Sequence, residues 1–212
     1  MVQRGDEPEL VKVARATLLT AGQCFPEATC KGWTPPNGYC LLWPGAGRLA
    51  SREDSAGAEG LSGRYLLTHF GLSLNVTMRA SGWPEIMGGL EQLGATDGIH
   101  SMLVQNDEDV LRLFPGWPSS ADAAFTTLRA QGAFLVSARY EAAARNVTAA
   151  RVVSEAGRRL TMENPWAAMG HQLCVRNVTV STMGEVLPLV AVSGGHQRVE
   201  TVSGGRYSLE PC

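Results

Sequence analysis

Apolar residues recur at helical spacing in the first half of the chain and at strand spacing in the second, and the period changes near residue 107. Between Glu7 and Ala21 the positions Leu10, Val11, Val13, Ala14, Leu18 and Leu19 form an amphipathic helical pattern, with Pro8 in the first turn and Gly22 as the stop. Phe25 to Gly38 reads as loop, and Tyr39 to Ala50 as an apolar helix or turn broken at Pro44. Ser51 to Gly63 has the small and charged composition of an exposed connection. Arg64 to Phe70 is a short helix candidate, glycines interrupt every apolar run from Gly71 to Glu91, and Ala95 to Asn106 closes the helical half with Ile99, Met102 and Leu103 on one face.

After Asp107 alternation predicts strands over Asp109 to Phe114, Ala124 to Ala130, Ala133 to Glu141 and Thr148 to Glu155. Further strands are expected over Arg159 to Glu163, Gln172 to Val178, Val186 to Val192, Gln197 to Val202 and Arg206 to Leu209. Turn residues at Pro118-Ser-Ser120, Glu155-Ala-Gly157, Gly194-Gly195 and Ser203-Gly-Gly205 separate them. Strands at this spacing with no intervening helix favour an antiparallel β-sandwich. The expected fold class is therefore α+β, with a helical part over 1–107 and a sandwich over 108–212.

Composition changes this picture little. With 44 % hydrophobic and 18 % charged residues the chain of 212 residues has material for a packed core. A net charge of −2 without a long basic run argues against nucleic acid as a partner. No apolar stretch reaches the roughly 20 residues that span a bilayer, so no membrane partner is expected, and the start Met1-Val-Gln-Arg-Gly-Asp-Glu-Pro-Glu9 is too polar for a signal peptide. Against that, three sequons, Asn75-Val-Thr77, Asn146-Val-Thr148 and Asn177-Val-Thr179, point toward a glycoprotein on a secretory route. Cys24, Cys30, Cys40, Cys174 and Cys212 leave one thiol unpaired in any scheme and lack the paired spacing of a zinc site, so no metal is expected.

The stretch Val110-Leu-Arg-Leu-Phe-Pro-Gly-Trp-Pro118, with Phe125-Thr-Thr-Leu-Arg-Ala-Gln-Gly-Ala-Phe134 after it and a helix ending in Met102-Leu-Val-Gln105 before it, carries a resemblance. The order resembles the C-terminal end of carbohydrate-active enzymes of the α-L-fucosidase type, glycoside hydrolase family ninety-five and its relatives. There the last helices of an (α/α)6 barrel run into an antiparallel β-sandwich. The resemblance implies a partial barrel remnant over 1–107, a sandwich over 108–212, a carbohydrate substrate, inverting hydrolysis of a glycosidic bond and no metal or organic cofactor. Six helical hairpins with helices of about 11 to 12 residues do not fit before Asp107. By that reasoning the chain is a fragment, inactive alone, whose helices pack on a preceding part of their parent chain.

Inverting hydrolysis needs two polar groups roughly 6.5 to 9.5 Å apart, one to protonate the leaving oxygen and one to activate water. The resembling enzymes carry a water-setting carboxylate in an Asp-Gly-Asn-Phe-Gly motif before the Met-Leu-x-Gln helix. Gly88-Gly-Leu-Glu-Gln92 stands in that place here and is closer to a Gly-Gly-x-Glu-Asn pattern, which makes Glu91 the candidate reacting carboxylate. Gln92 and Trp83 are the candidate substrate-binding residues, and Trp33 and Trp43 could line the same cleft. The competing reading of Glu91 is a solvated loop charge, and no carboxylate in 1–107 suggests itself as its partner, Glu85 being too near.

Asp97 and His100, three apart, could form an acid and base pair, but a carboxylate in a first helical turn also simply complements the macrodipole. His69, His171 and His196 are scattered. Trp117 and Trp166, after Pro-Gly and Asn-Pro, read as packing residues. The alternative to an enzyme part is a non-catalytic sandwich module that binds carbohydrate or supports another domain.

Overall fold

The computed structural model describes Glu9, Lys12, Val13, Ala16 and residues 97–106, 109–180 and 184–212. Glu9, Lys12, Val13 and Ala16 are helical and exposed, and Lys12 Nζ reaches Glu9 Oε1 at 2.6 Å, one turn away. Most of the expected N-terminal elements, and with them the barrel remnant, lie outside the described residues. Chain contacts divide the molecule into two units, Met1–Leu103 with Pro115–Pro118, and Val104–Phe114 with Ser119–Cys212.

In the first unit, residues 97–103 form a helix in which Met102 is fully buried. The Gly116 amide donates to the Met102 carbonyl at 3.3 Å, capping one of the acceptors that a helix end leaves without an intrahelical partner. This helix ends earlier than the sequence pattern suggests, at Leu103 instead of Asn106. Val104 is β-branched and pairs with Leu113, and Gln105 pairs with Arg112, so the last residues of the apolar run leave the helix for a strand.

The second unit is mostly β. Ten strands are formed among the described residues: β1 (Val104–Gln105), β2 (Val110–Leu113), β3 (Ala123–Ala130), β4 (Phe134–Glu141), β5 (Asn146–Ser154), β6 (Leu160–Met162), β7 (Leu173–Asn177), β8 (Val190–Ala191), β9 (Gln197–Val199) and β10 (Gly205–Pro211). One sheet has the order β1-β2-β6-β9-β8 and the other β3-β4-β5-β10-β7. The arrangement is sandwich-like, but the expectation of purely antiparallel sheets is corrected at one place. Strands β2 and β6 run parallel, Val110 against Thr161 and Leu111 against Met162, so the first sheet is mixed. Parallel neighbours need a long crossover, and here the meander β3-β4-β5 supplies it.

The core follows the period-two pattern. Phe134, Val136 and Ala138 of β4 are buried, as are Val152 and Ala150 opposite them and Tyr207 and Leu209 one strand further. Leu111, Leu160, Met162 and Val199 give the first sheet its buried residues. Two bulges keep the alternation in phase. In β3 the register shifts between Phe125 and Leu128, with Thr127 at φ 55° and its amide donating to Ser137 Oγ at 3.0 Å. In β5 the register passes from Ala149 to Val147 over one unpaired residue, so that Val147 and Ala150, three apart, are both buried.

The expected strand over Val186 to Val192 is reduced to a bridge between Val186 and Arg176 and the two residues of β8. Pro188 has no amide to give a ladder. Cys174 and Cys212 are joined by a disulfide, which ties β7 to the residue after β10. Among the described residues no helix is long and apolar enough to cross a membrane.

Candidate functional site

Glu91, Trp83 and Gln92, the residues singled out for catalysis and substrate binding, lie outside the described residues, as do Trp33, Trp43, Glu85, His69, Asn75, Cys24, Cys30 and Cys40. Asp97 is exposed and His100 half-buried on helix 97–103. His171 is exposed beyond the 3-10 turn Ala167–Met169, and His196 is half-buried before β9. Among the described residues no group of three or more His, Cys, Asp and Glu side chains is placed to hold a metal ion.

The aromatic residues of the second unit serve packing. Trp166 is 1 % exposed, its indole N–H donates to the Val147 carbonyl at 2.8 Å, and its amide donates to Asn164 Oδ1 at 3.0 Å. Phe114 sits at φ 53°, an unfavourable conformation for a bulky side chain, and its ring centroid lies 5.3 Å from Phe125 and 5.6 Å from Tyr140. Trp117, in the first unit, is half-buried.

A cleft of about 880 Å³ opens within the second unit, a feature that the sequence reading did not find. Its floor is the outward side of β6 and β9. Leu160 and Val199 pair across these strands with their side chains in the core, so the next pair, Thr161 and Arg198, turns the other way. Arg158 and Arg159 lead into β6, Glu200 follows β9, and Asn106, Asp109 and the turn at Gln131 and Gly132 complete the polar lining. Asn106 Nδ2 donates to the Gln131 carbonyl at 2.8 Å, which fixes the rim and leaves the amide oxygen as an acceptor.

The backbone that carries the arginines is held by a buried hydroxyl pair. Ser154 is fully buried and Thr201 nearly so, with their oxygens 2.7 Å apart. Ser154 Oγ accepts the Gly157 amide at 3.1 Å, and the Thr201 hydroxyl donates to the Arg158 carbonyl. With the Ser154 proton directed at Thr201, every group in the chain of bonds is satisfied. Gly157 itself has φ +67°, and a Cβ there would come within 2.7 Å of the Ser203 amide nitrogen, so only glycine fits. Ser203 Oγ closes the same corner on the Glu155 carbonyl at 2.7 Å.

Several arginines of this unit are neutralised inside the protein. Arg112, almost wholly buried, meets Glu163 at 3.2 Å, Arg129 meets Glu155 at 2.7 Å, and Arg176 pairs with Glu210. Hydrogen bonding to Glu155, and then its charge, raise the Arg129 pKa further above its ordinary value. Arg158, Arg159 and Arg198 make no side-chain hydrogen bond or ion pair among the described residues.

No family model matches the sequence. No curated protein matches it either. Among solved structures, the catalytic domain of GH30 xylanase C from Talaromyces cellulolyticus is similar over 52 % of this chain and 27 % of that chain, with 8 % identity and a TM-score of 0.30. The chain thus spans about a quarter of that structure's length, and a likeness at this level establishes neither a shared fold nor an activity.

Proposed function

We propose that this chain acts in the hydrolysis of glycosidic bonds, as the sandwich-bearing part of an inverting, metal-independent O-glycoside hydrolase that resembles the α-L-fucosidases. One observation carries the reading. Helix 97–103 passes through Met102-Leu-Val-Gln105 into β1 and β2, Leu113-Phe-Pro-Gly-Trp-Pro118 turns the chain, and Leu128-Arg-Ala130 closes β3 before Gly132 and Phe134 open β4. This order supports the reading, although the helix ends at Leu103 where the resemblance implies an end at Gln105. In this proposal Glu91 sets the attacking water, Trp83 offers a face to the sugar, Gln92 hydrogen-bonds it, and the proton for the leaving oxygen comes from a group outside residues 1–107.

The test is an assay of the 212-residue protein on aryl α-L-fucoside and α-L-galactoside, together with binding to fucosylated oligosaccharides. Binding without turnover is the expected result, because no sequence motif in residues 1–107 supplies an acid partner for Glu91. Turnover abolished by Glu91→Gln, in a monomer of verified mass, would show instead that this chain holds the whole reaction. A second reading, a non-catalytic carbohydrate-binding module, is favoured by the polar cleft, whose described lining residues lie within Val104–Phe114 and Ser119–Cys212. It separates from the first by mutation: Glu91→Gln and Trp83→Ala would then leave sugar binding unchanged.

A further inference from the structure

The cleft of the second unit is lined by Arg158, Arg159 and Arg198, for whose side chains the described residues provide no acceptor. Arg198 is half-buried on the floor, and Arg158 and Arg159 stand exposed on the wall, with the Arg158 carbonyl and the Gly157 amide fixed by Thr201 and Ser154. Two carboxylates, Asp109 and Glu200, share the cleft and form no ion pair with these arginines among the described residues. Among the described residues the lining holds three cations, Arg158, Arg159 and Arg198, and two anions, Asp109 and Glu200.

The chemistry of the lining selects a ligand. A guanidinium fork matches the two oxygens of a carboxylate or the edge of a sulfate, and on a pre-set backbone less freedom is lost when it closes on them. Asp109, Glu200 and the Asn106 amide oxygen are acceptors, suited to hydroxyl groups. The lining includes no Trp or Tyr among the described residues, and Phe134 is 3 % exposed. The groups that the described lining offers a ligand are thus mainly charged or polar ones.

We infer that this cleft binds an acidic saccharide, a glycan bearing uronate or sulfate groups. Arg158, Arg159 and Arg198 receive the anionic group while Asp109 and Glu200 accept hydroxyls. The identification of the ligand as a sugar rests on the carbohydrate function proposed above, and its charge rests on the cleft alone.

Calorimetry or affinity electrophoresis of the whole protein against four probes tests this: polygalacturonate, a sulfated galactan, a neutral fucosylated xyloglucan and a single-stranded oligonucleotide. Binding to polygalacturonate or to the sulfated galactan, weakened by added salt, is the expected result, and the stronger of the two names the anionic group. Arg198→Gln and Arg158→Gln should each reduce that affinity about tenfold, and Arg198→Lys by less, with unfolding midpoints unchanged. Equal binding to the oligonucleotide or to the neutral glycan, or acidic-glycan binding untouched by the substitutions, overturns the inference. Binding of the neutral glycan alone removes the acidic ligand and leaves the carbohydrate function standing, whereas binding of no glycan removes both.

Discussion

Trp166 combines two roles that truncation would remove together, since its ring fills the core and its indole N–H satisfies the Val147 carbonyl. Trp166→Ala should cost about 3–5 kcal/mol in chemical denaturation, and Trp166→Phe, which keeps most of the ring but orphans the carbonyl, about 1–3 kcal/mol. A Phe variant as unstable as the Ala variant would show that the hydrogen bond, and not packing, dominates. Ser154→Ala should also destabilise, by about 1–3 kcal/mol, because the Gly157 amide loses its acceptor and Thr201 keeps only its bond to the Arg158 carbonyl. Of these residues only Trp166 was legible in the sequence, through its Asn-Pro context. Ser154 and Thr201 were not, because a polar residue in an alternating strand reads as solvent-facing, and the bonds that bury this pair join positions 47 residues apart.

At the scale of elements, alternation located most strands to within a residue or two, since burying one face imposes a period of two. It erred where another constraint overrode the period. Val104 looked like the last turn of a helix until its pairing with Leu113 is considered, and Pro188 removed ladder bonds from an apolar run. The bulges leave a trace that can be read afterwards: Phe125 with Leu128, and Val147 with Ala150, are apolar pairs spaced by three inside strands. Thr127, exposed and at φ 55°, carries the strain of the first bulge. Thr127→Asn, better suited to that conformation, should raise the denaturation midpoint by about 0.5–1 kcal/mol of stability, with the β3 register intact. A lower midpoint would mean that the threonine side chain contributes more than the strain costs. The cleft had no counterpart in the sequence pattern, because its arginines come from the residues just before β6 and from the middle of β9, far apart in the chain, and match no motif.

For the molecule as a whole, the disulfide Cys174–Cys212 closes a loop with a sequence separation of 38, which in the chain-entropy account stabilises by up to about 4 kcal/mol. Reduction, or Cys174→Ser with Cys212→Ser, should lower the unfolding midpoint of the β unit by about 2–4 kcal/mol. An unchanged midpoint would show that the ladder between β7 and β10 already confines those residues. Limited proteolysis of the oxidised protein should leave a resistant fragment that contains Val104 to Cys212, since its strands share two continuous hydrogen-bonded sheets. Cleavage inside β4 or β5 before any other site would contradict that expectation.

The parallel pairing of β2 with β6 also bears on the order of events when the chain folds. Residue 110 cannot meet residue 161 until the 50 positions between them have found their places, whereas β3, β4 and β5 join through short turns. Early loop closures are entropically cheapest for neighbours, so the meander is the natural nucleus and the mixed sheet a late arrival. Substitutions in β4 should then slow refolding, while those in β2 or β6 should mainly speed unfolding. Until β6 docks, one edge of β2 offers its apolar residues Val110 and Leu111 to any strand nearby, which makes that interval the one in which this protein is most exposed to pairing with a stranger.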